Sequence, residues 1–127
     1  MQDATTTIAQ LRDQVKTFVE ERDWQQFHSS KNLSMALAIE AAELMEHFQW
    51  ISADESRNLD QDKRVAVGEE LADVFCYTLA IANELDIDLA QTFERKMGLN
   101  KAKYPADEYR GRYGADDPSP TPAPHSD

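Results

Sequence analysis

Apolar residues recur along most of this chain three and four positions apart, the spacing that places them on one face of an α-helix. The first such run consists of Ile8, Leu11, Val15, Phe18 and Val19. Thr7 and Gln10 have the spacing of a capping box, in which each side chain bonds to the other residue's backbone N–H. This pattern predicts a first helix that begins after Thr7 and ends around Trp24.

Three further helices follow from the same spacing. The second is predicted over about residues 32–51 and the third over about 63–85. Asp88 and Gln91 have capping spacing for a fourth helix. This helix must end before Pro105, because proline lacks a backbone N–H and restricts the residue that precedes it.

The connection between the second and third predicted helices carries its own capping signal, since Glu55 follows Ser52 by three residues. This spacing indicates a short helix or turn. No alternating run bounded by turn residues indicates a strand, and the chain contains only four glycines. The predicted fold is therefore an all-α bundle of four to five helices.

Composition divides the chain into a domain and a tail. The 127 residues suffice for one domain with a modest core, and 41% of them are hydrophobic. Four of the five prolines lie after Ala115, among Asp, Ser and Thr residues. Such a segment cannot bury enough apolar surface to offset its chain entropy. We expect a helical domain over residues 5–113 and a disordered tail over 114–127.

Charge and cysteine content narrow the partners and the compartment. The formal net charge of −11 opposes binding to a nucleic acid polymer or an anionic membrane, although a divalent cation could bridge to a phosphorylated small molecule. Cys76 is the only cysteine, which favours a reducing compartment. No leader-like run is present, and no apolar segment approaches about 20 residues. The expectation is a soluble, cytoplasmic protein.

The second predicted helix carries carboxylates on its apolar face. At about 100° per residue, its apolar positions form a stripe about 120° wide. They are Leu33, Ala36, Leu37, Leu44, Phe48 and Ile51. Glu40 falls in the middle of this stripe and Glu43 at its edge. Burying a lone carboxylate is costly, so it must be protonated, paired or bound to a metal.

The third predicted helix is apolar over most of its circumference. In so short a chain this indicates burial against another subunit. The main interruption is a narrow line of Glu70, Asp73, Tyr77 and Glu84. Glu70 and Asp73 stand one helical turn apart, so their side chains project together.

Two helices thus present acidic pairs with the same spacing, Glu40 with Glu43 and Glu70 with Asp73. Four facing carboxylates repel one another unless a cation lies between them, and oxygen ligands select Mg²⁺ or Mn²⁺ rather than zinc. A di-iron bundle would need Glu-x-x-His pairs, which neither helix contains. A single pair of this kind is usually a solvated helix face, and that interpretation stays open.

Three sequence blocks resemble one family. The pattern Glu40-x-x-Glu43, then 26 residues, then Glu70-x-x-Asp73 is similar to the acidic signature of the all-α NTP pyrophosphohydrolases, the MazG-like superfamily. The blocks RDWQQFHSSKNLSMALAIEAAELMEHFQW (22–50), EELADVFCYTLAIANELDIDL (69–89) and KMGLNKAKYP (96–105) resemble its dCTP pyrophosphatase branch in order and spacing. The resemblance covers nearly all of residues 8–105.

The resemblance implies a fold, a reaction and a metal. The implied fold is a MazG-like bundle that assembles as a dimer or a dimer of dimers. The implied reaction converts dCTP, or a related or modified deoxynucleoside triphosphate, to the monophosphate and pyrophosphate, a house-cleaning activity on the nucleotide pool. The implied metal is Mg²⁺, with Mn²⁺ as an alternative, held by Glu40, Glu43, Glu70 and Asp73. Glu43, at the edge of the stripe, is the candidate to orient or deprotonate the attacking water.

The fourth predicted helix offers groups for a substrate. Lys96 and Asn100 lie inside its apolar stripe, where a polar side chain either extends to the surface or meets a polar ligand. By the resemblance, Lys96 and Lys103 contact phosphates, and Asn100 and Tyr104 contact the nucleotide. For Lys103, a lysine stem that covers apolar surface is an equally good interpretation.

Three further residues are candidates for contact with the base. Trp24 and Trp50 offer rings on which a base could stack, although a lone tryptophan is more often a packing anchor. His28, in the segment WQQFH, matches a substrate-contacting histidine of the family. His47 and His125 show no functional pattern.

Two classes of function remain in view. One is the metal-dependent hydrolase, and the other is a catalytically silent helical oligomerisation or regulatory module that keeps the same fold. Ala41 and Ala42 stand where the dCTP pyrophosphatase branch more often has Val-Gly, and we expect little effect on the metal because Ala42 faces away from the stripe. Small pocket changes shift base discrimination by only about 1–3 kcal/mol, so an enzyme that tolerates dUTP or dTTP stays open.

Overall fold

The computed structural model describes residues 1–112, and within them every regular element is helical. In chain order the elements are α1 (Ile8–Glu21), a 3₁₀ turn (Gln25–Phe27), α2 (Ser30–Glu46), α3 (Ala53–Ser56), α4 (Gln61–Leu85), α5 (Leu89–Lys103) and α6 (Ala106–Tyr109). The all-α prediction is confirmed for this part of the chain. The predicted disordered tail over 114–127 lies outside the described residues.

The chain divides into two compact units, Met1–Asp88 and Leu89–Asp127. The second unit is described as far as residue 112. The predicted domain boundaries at residues 5 and 113 stay a prediction. Among residues 1–112, no helix is both long enough and apolar enough to span a bilayer.

Helix α1 begins at the predicted capping box. The Gln10 backbone N–H donates to Thr7 Oγ1 at 3.2 Å, and the Thr7 N–H donates to Gln10 Oε1 at 2.7 Å. The helix ends at Glu21, slightly before the predicted end, because Asp23 adopts a left-handed backbone conformation with φ 52°. The Trp24 N–H then donates a hydrogen bond to the Val19 carbonyl at 3.0 Å, which closes the last turn of the helix.

Helix α2 is shorter than predicted. It starts at Ser30, where the Ser29 hydroxyl accepts the Asn32 N–H, and it ends at Glu46, so the prediction that it continues to Ile51 is wrong. Residues 47–51 form tight turns instead. The aromatic and β-branched residues of this stretch are weak helix formers. In addition, Ser52 takes the extended backbone of a cap to start α3, and this requires the preceding helix to have ended.

Helix α4 is the longest element and the central helix of the first unit. The Asp60 carboxylate caps its start by accepting the Lys63 N–H at 2.8 Å, and Asp86, in a left-handed conformation, ends it. Both α1 and α2 pack against α4. The buried core of this unit is small and entirely apolar. It consists of Val19, Leu33, Leu79, Ala80 and Ala82.

The first unit leaves many large apolar side chains exposed. Beyond the N-terminal methionine, they are Ile8, Phe18, Trp24, Phe27, Met35, Ile39, Met45, Trp50, Val65, Leu71, Phe75 and Leu85. The prediction that the third helix is buried against another subunit stays a prediction. Several of these residues share the outer face of α2 or the N-terminal half of α4, so both surfaces are open to a partner.

The second unit contains α5 and α6. Helix α5 ends at Lys103, before Pro105 as predicted. Pro105 begins α6, which the sequence pattern did not predict, and its carbonyl accepts the Tyr109 N–H at 3.1 Å. The rings of Tyr104 and Tyr109 meet edge to face with centroids 5.2 Å apart. This aromatic pair stabilises the corner between the two helices.

Candidate metal centre

The predicted acidic pairs lie on α2 and α4, the two helices that pack against each other. Glu40 follows the buried Leu33 by seven residues, or two helical turns, so it projects from the face of α2 that packs inward. Glu43 stands one turn further along α2, and Glu70 is on α4. All three side chains are partly shielded from solvent.

The structure brings three of these carboxylates to one point. Glu40, Glu43 and Glu70 each offer one oxygen, and these oxygens all lie within 4.8 Å of one another. Oε2 of Glu40 and Oε2 of Glu70 are buried and have no hydrogen-bond partner. A buried acceptor without a donor costs about 1–3 kcal/mol, and more when it is charged. We call these three residues the acidic cluster, and its unpaired oxygens are suited to a cation.

The electrostatics of the acidic cluster also favour a bound cation. Desolvation by burial, a hydrogen bond with Glu43 and neighbouring negative charges raise the pKa of Glu40 from 4.5 to about 6. The contributing charges are those of Glu43, Asp73 and Glu70. Carboxylates this close favour a shared proton unless positive charge replaces it. A divalent cation would therefore lower the pKa of Glu40 again.

Asp73 lies beside the acidic cluster rather than in it. It stands one turn after Glu70 on α4, its side chain is exposed, and it is not among the residues whose oxygens lie within 4.8 Å of one another. Its negative charge nevertheless contributes to the raised pKa of Glu40. The structure thus gathers three of the four predicted carboxylates and leaves the fourth adjacent to them.

Two neighbours on α4 also lie within the field of the acidic cluster. Burial raises the pKa of the Cys76 thiol, and the charges of Asp73 and Glu40 add to the effect. Burial likewise raises the pKa of the Tyr77 hydroxyl, with Glu40 the largest charge contribution. Both groups stay in their protonated forms at neutral pH, so each offers the site a neutral polar group.

The donor set fits a hard divalent cation. All three groups of the acidic cluster are carboxylates, with no thiol and no imidazole among them. Oxygen-only ligands are those preferred by Mg²⁺ and Mn²⁺, whereas structural zinc sites use cysteine and histidine. Glu40 and Glu70 also present the buried, unpaired oxygens that such an ion would satisfy.

His47 is a neighbour of the acidic cluster that the sequence pattern did not single out. Its Nε2 lies 3.8 Å from Glu70 Oε1, and the two side chains are 21% and 22% exposed. His47 follows Glu43 by four residues, the spacing that places two side chains on the same helix face. This spacing from Glu43 was the sequence signal that could have identified His47 as a neighbour of the acidic cluster. The spacing could not reveal that His47 also contacts Glu70 on α4.

The candidates for base contact occupy different settings. The Trp24 ring packs edge to face on Phe18 at 5.8 Å, which favours its role as a packing anchor. Trp50 lies in the turn after α2, not on the helix, and is 87% exposed. His28 is partly exposed and ends the 3₁₀ turn. Of the three, Trp50 has the ring face most available to a ligand.

The four remaining candidates lie on or just after α5 in the second unit. Lys96, Lys103 and Tyr104 are exposed, and Asn100 is partly exposed. The Lys103 ammonium lies 5.3 Å from the centroid of the Tyr104 ring, within the range of a cation–π contact. Asn100 Nδ2 faces the sulfur of Met97 at 3.9 Å. Lys96 and Asn100 stand four residues apart, so they share one face of the helix.

The fold and the acidic cluster define an all-helical protein whose candidate metal centre joins two packed helices. Residues 35–113, more than half of the chain, match the model of the MazG-like family. The chain belongs to the MazG-like family.

Individual relatives agree with this assignment. The dCTP pyrophosphatase 1 of Mus musculus is 40% identical over 107 residues, which cover 83% of this chain and 63% of the mouse protein. The Homo sapiens dCTP pyrophosphatase 1 is 39% identical over 102 residues, covering 79% of this chain and 60% of that protein. The chain thus spans less than two thirds of the length of these curated relatives.

A solved structure is similar over nearly its whole length. The crystal structure of a pyrophosphatase from Archaeoglobus fulgidus superposes with a TM-score of 0.74 at 35% sequence identity. The match covers 83% of this chain and 98% of the archaeal chain. The fold of this chain is therefore similar to that of a solved pyrophosphatase.

Proposed function

We propose that this protein is a Mg²⁺-dependent nucleoside triphosphate pyrophosphohydrolase that converts dCTP, or a related or modified deoxynucleoside triphosphate, to the monophosphate and pyrophosphate. One observation carries the proposal. Glu40, Glu43 and Glu70, from two packed helices, meet within 4.8 Å, and two of their oxygens are buried without a donor. Such a cluster is unfavourable by itself and becomes favourable around a cation.

The chemistry requires one water for each phosphoanhydride bond broken. A bound divalent cation supplies two effects, neutralising charge on the phosphates and lowering the pKa of a coordinated water. Glu40, Glu43, Glu70 and Asp73 are the residues that we propose to hold this ion. Glu43, whose side chain lies toward the edge of the packed face of α2, takes the proposed role of accepting the proton of the attacking water.

The substrate side rests on the family and on exposed groups of suitable chemistry. The relatives named above are dCTP pyrophosphatases, which supports a cytosine nucleotide as substrate. Trp50 presents a free ring on which a base can stack, with Trp24 and His28 as further candidates. The proposed groups of the second unit are Lys96 and Lys103 for the phosphates and Asn100 and Tyr104 for the nucleotide.

We further propose that the working form is a homo-oligomer, either a dimer or a dimer of dimers. Met35 and Ile39 on α2 and Leu71 and Phe75 on α4 are large, apolar and exposed in the single chain. Soluble monomers rarely leave such residues together on their surface. A second copy of the chain would cover them without requiring any other partner.

The test is release of pyrophosphate from a panel of dNTPs, with and without Mg²⁺. We expect turnover that depends on Mg²⁺, is highest with dCTP or its 5-substituted forms, and is lost in Glu40→Gln and Glu70→Gln. Glu69→Gln is the matched control, because Glu69 is exposed beside Glu70 and lies outside the acidic cluster. It should keep full activity.

The same assay distinguishes the hydrolase from the second class of function, a catalytically silent module. A catalytically silent oligomerisation or regulatory module would release no pyrophosphate from any dNTP with either Mg²⁺ or Mn²⁺. It would also show no metal-dependent change in melting temperature, in wild type or in Glu40→Gln. Both results together would remove the hydrolase proposal.

A further inference from the structure

The contact between His47 and Glu70 links the end of one helix of the acidic cluster to the middle of the other. His47 is the C-terminal cap residue of α2, and Glu70 lies within α4. His47 Nε2 is 3.8 Å from Glu70 Oε1, and both side chains are about four-fifths shielded from water. Two polar side chains from different helices therefore face each other inside a partly dehydrated region.

The position of His47 on α2 follows from the carboxylate spacing. It stands four residues after Glu43 and seven after Glu40, so all three side chains emerge from one face of the helix. The imidazole is not part of the group of oxygens that lie within 4.8 Å of one another. His47 thus borders the acidic cluster as a neighbour of one of its members.

The two oxygens of Glu70 have different surroundings. Oε1 faces His47, whereas Oε2 is buried without any hydrogen-bond partner. A carboxylate that binds a metal through one oxygen is commonly held in orientation by a donor on the other. The 3.8 Å separation is longer than a direct hydrogen bond, so about 1 Å of approach, or one bridging water, would complete the contact.

We propose that His47 is a positioning residue that donates from Nε2–H to Glu70 Oε1 and thereby turns the other Glu70 oxygen toward the divalent cation. This inference rests on the proposed function insofar as it requires a cation at the acidic cluster. The effect acts through Glu70, so His47 itself touches neither metal nor substrate. It needs only an N–H at Nε2, which a neutral or a charged imidazole can provide.

The experiment compares Mg²⁺ binding by isothermal titration calorimetry in four full-length proteins. They are the wild type, His47→Leu, His47→Gln and Gln49→Leu. Leucine removes the N–H while keeping an apolar body, and the glutamine amide can place an N–H near the position of Nε2. Gln49 is exposed in the turn just after His47, so its substitution controls for a surface change at this helix end.

The expected result is a graded one. The dissociation constant for Mg²⁺ should rise about 10- to 100-fold in His47→Leu, recover to within a few-fold of wild type in His47→Gln, and stay unchanged in Gln49→Leu. Pyrophosphate release by His47→Leu should then fall at low Mg²⁺ and recover when Mg²⁺ is raised. A residue that merely packs the helix end would instead lower the melting temperature of the metal-free protein and leave Mg²⁺ affinity alone.

Three results would overturn the proposal. They are wild-type Mg²⁺ affinity in His47→Leu, no recovery in His47→Gln, or an equal loss in Gln49→Leu. If His47→Leu does not fold, His47→Asn replaces it, because its shorter amide cannot reach Glu70 and should bind Mg²⁺ as weakly. Wild-type protein that binds Mg²⁺ and depends on His47 but hydrolyses no dNTP would contradict the proposed function alone.

Discussion

Arg12 and Asn83 hold each other through reciprocal hydrogen bonds. Arg12 Nε donates to Asn83 Oδ1 at 3.0 Å, and Asn83 Nδ2 donates back to the Arg12 carbonyl at 3.0 Å. The guanidinium also donates to the carbonyls of Ala82 and Ile87, at the C-terminal end of α4. One side chain of α1 therefore binds two backbone carbonyls at the end of α4, although the Ala82 carbonyl also accepts the backbone N–H groups of Asp86 and Ile87. These bonds hold α1 against α4.

This pair predicts a loss of stability without a loss of metal binding. Asn83→Ala removes two partly buried hydrogen bonds and leaves Arg12 Nε without its Asn83 acceptor, so we expect a cost of about 1–3 kcal/mol in the free energy of unfolding. Glu70 lies 13 residues earlier on α4, roughly 20 Å away along the helix. Affinity for Mg²⁺ should therefore be unchanged.

Urea unfolding followed by circular dichroism measures the first effect, and calorimetry with Mg²⁺ measures the second. Gln14→Ala is the matched control, since Gln14 is exposed on α1. It should unfold at the same urea concentration as the wild type. A loss of Mg²⁺ affinity in Asn83→Ala would show that the two ends of α4 are coupled, contrary to this prediction.

Glu40→Gln should stabilise the metal-free protein while removing its response to metal. At neutral pH the ionised Glu40 faces desolvation and the repulsion of its neighbours, which is why its pKa is raised to about 6. A neutral amide of the same shape avoids both, so we expect the melting temperature without metal to rise by a few degrees. The wild type should gain further stability on addition of Mg²⁺, whereas the variant should gain little or none.

Differential scanning fluorimetry with EDTA and with Mg²⁺ tests this expectation. Glu69→Gln, which removes an exposed charge next to Glu70, should behave like the wild type in both conditions. If Glu40→Gln lowers the melting temperature of the metal-free protein, Glu40 is not under repulsion and the assignment of the acidic cluster is wrong.

The raised pKa of Glu40 also predicts how stability depends on pH. The folded-state value of about 6 lies above the ordinary value of 4.5, so the folded state binds a proton more tightly than the unfolded state. This group therefore destabilises the metal-free protein above pH 6, and the penalty fades as the pH falls from 6 to 4.5. The stability advantage of Glu40→Gln over the wild type should shrink across the same window.

Unfolding by urea at several pH values between 4.5 and 7.5, in EDTA, measures this difference. Subtracting the variant from the wild type removes the titration of every group outside the acidic cluster. Saturating Mg²⁺ should reverse the sign of the difference at neutral pH, because the cation favours the ionised form. A difference that is flat across this range would contradict the raised pKa.

Local pattern predicted the five longer or capped helices and singled out carboxylates on both α2 and α4, but it missed α6 and the end of α2. Capping residues such as Thr7 and Ser52 act within their own turn, and Glu40 stands out because a carboxylate occupies the middle of an apolar stripe. What local pattern could not supply was which residues of α4 face which residues of α2. His47 is a candidate positioning residue only because it contacts Glu70. Glu70 lies 23 positions later in the chain, so the periodicity of α2 cannot predict this contact.

The end of α2 shows the other limit of local pattern. Phe48 and Ile51 continue the apolar stripe when placed on a helical wheel, so spacing alone extends the helix to Ile51. The structure instead ends α2 at Glu46, because the stretch 47–51 forms helix poorly and the Ser52 cap starts a new element. Trp50 consequently lies in a turn, with its ring in solvent, rather than on the helix that bears the carboxylates.

Lys96 is predicted to act on substrate binding. It is exposed on the same face of α5 as Asn100, and an ammonium group there can attract a triphosphate. Lys96→Ala should raise the KM for dCTP about tenfold and weaken the salt dependence of binding, with a smaller effect on kcat. Lys101→Ala is the control, since Lys101 is also exposed on α5 but about 140° around the helix from Lys96. Equal effects of the two substitutions would mean that only the total charge of α5 matters.

Trp50 is predicted to stack on the nucleotide base. Its ring is 87% exposed, so truncation should change the free energy of unfolding by no more than about 0.5 kcal/mol. Stacking on an aromatic side chain contributes about 1–3 kcal/mol per base, so Trp50→Ala should raise the KM for dCTP about tenfold or more. Trp50→Phe, which keeps a ring, should stay close to the wild type.

Fluorescence can report the same contact without turnover, because the chain has only two tryptophans. Trp24→Phe leaves Trp50 as the sole emitter, and addition of dCMP should quench it in a saturable manner. Trp50→Phe leaves only Trp24, which packs on Phe18 at 5.8 Å and should not respond. If Trp24 responds and Trp50 does not, the base lies on the α1 side, and the packing-anchor interpretation of Trp24 is the one that fails.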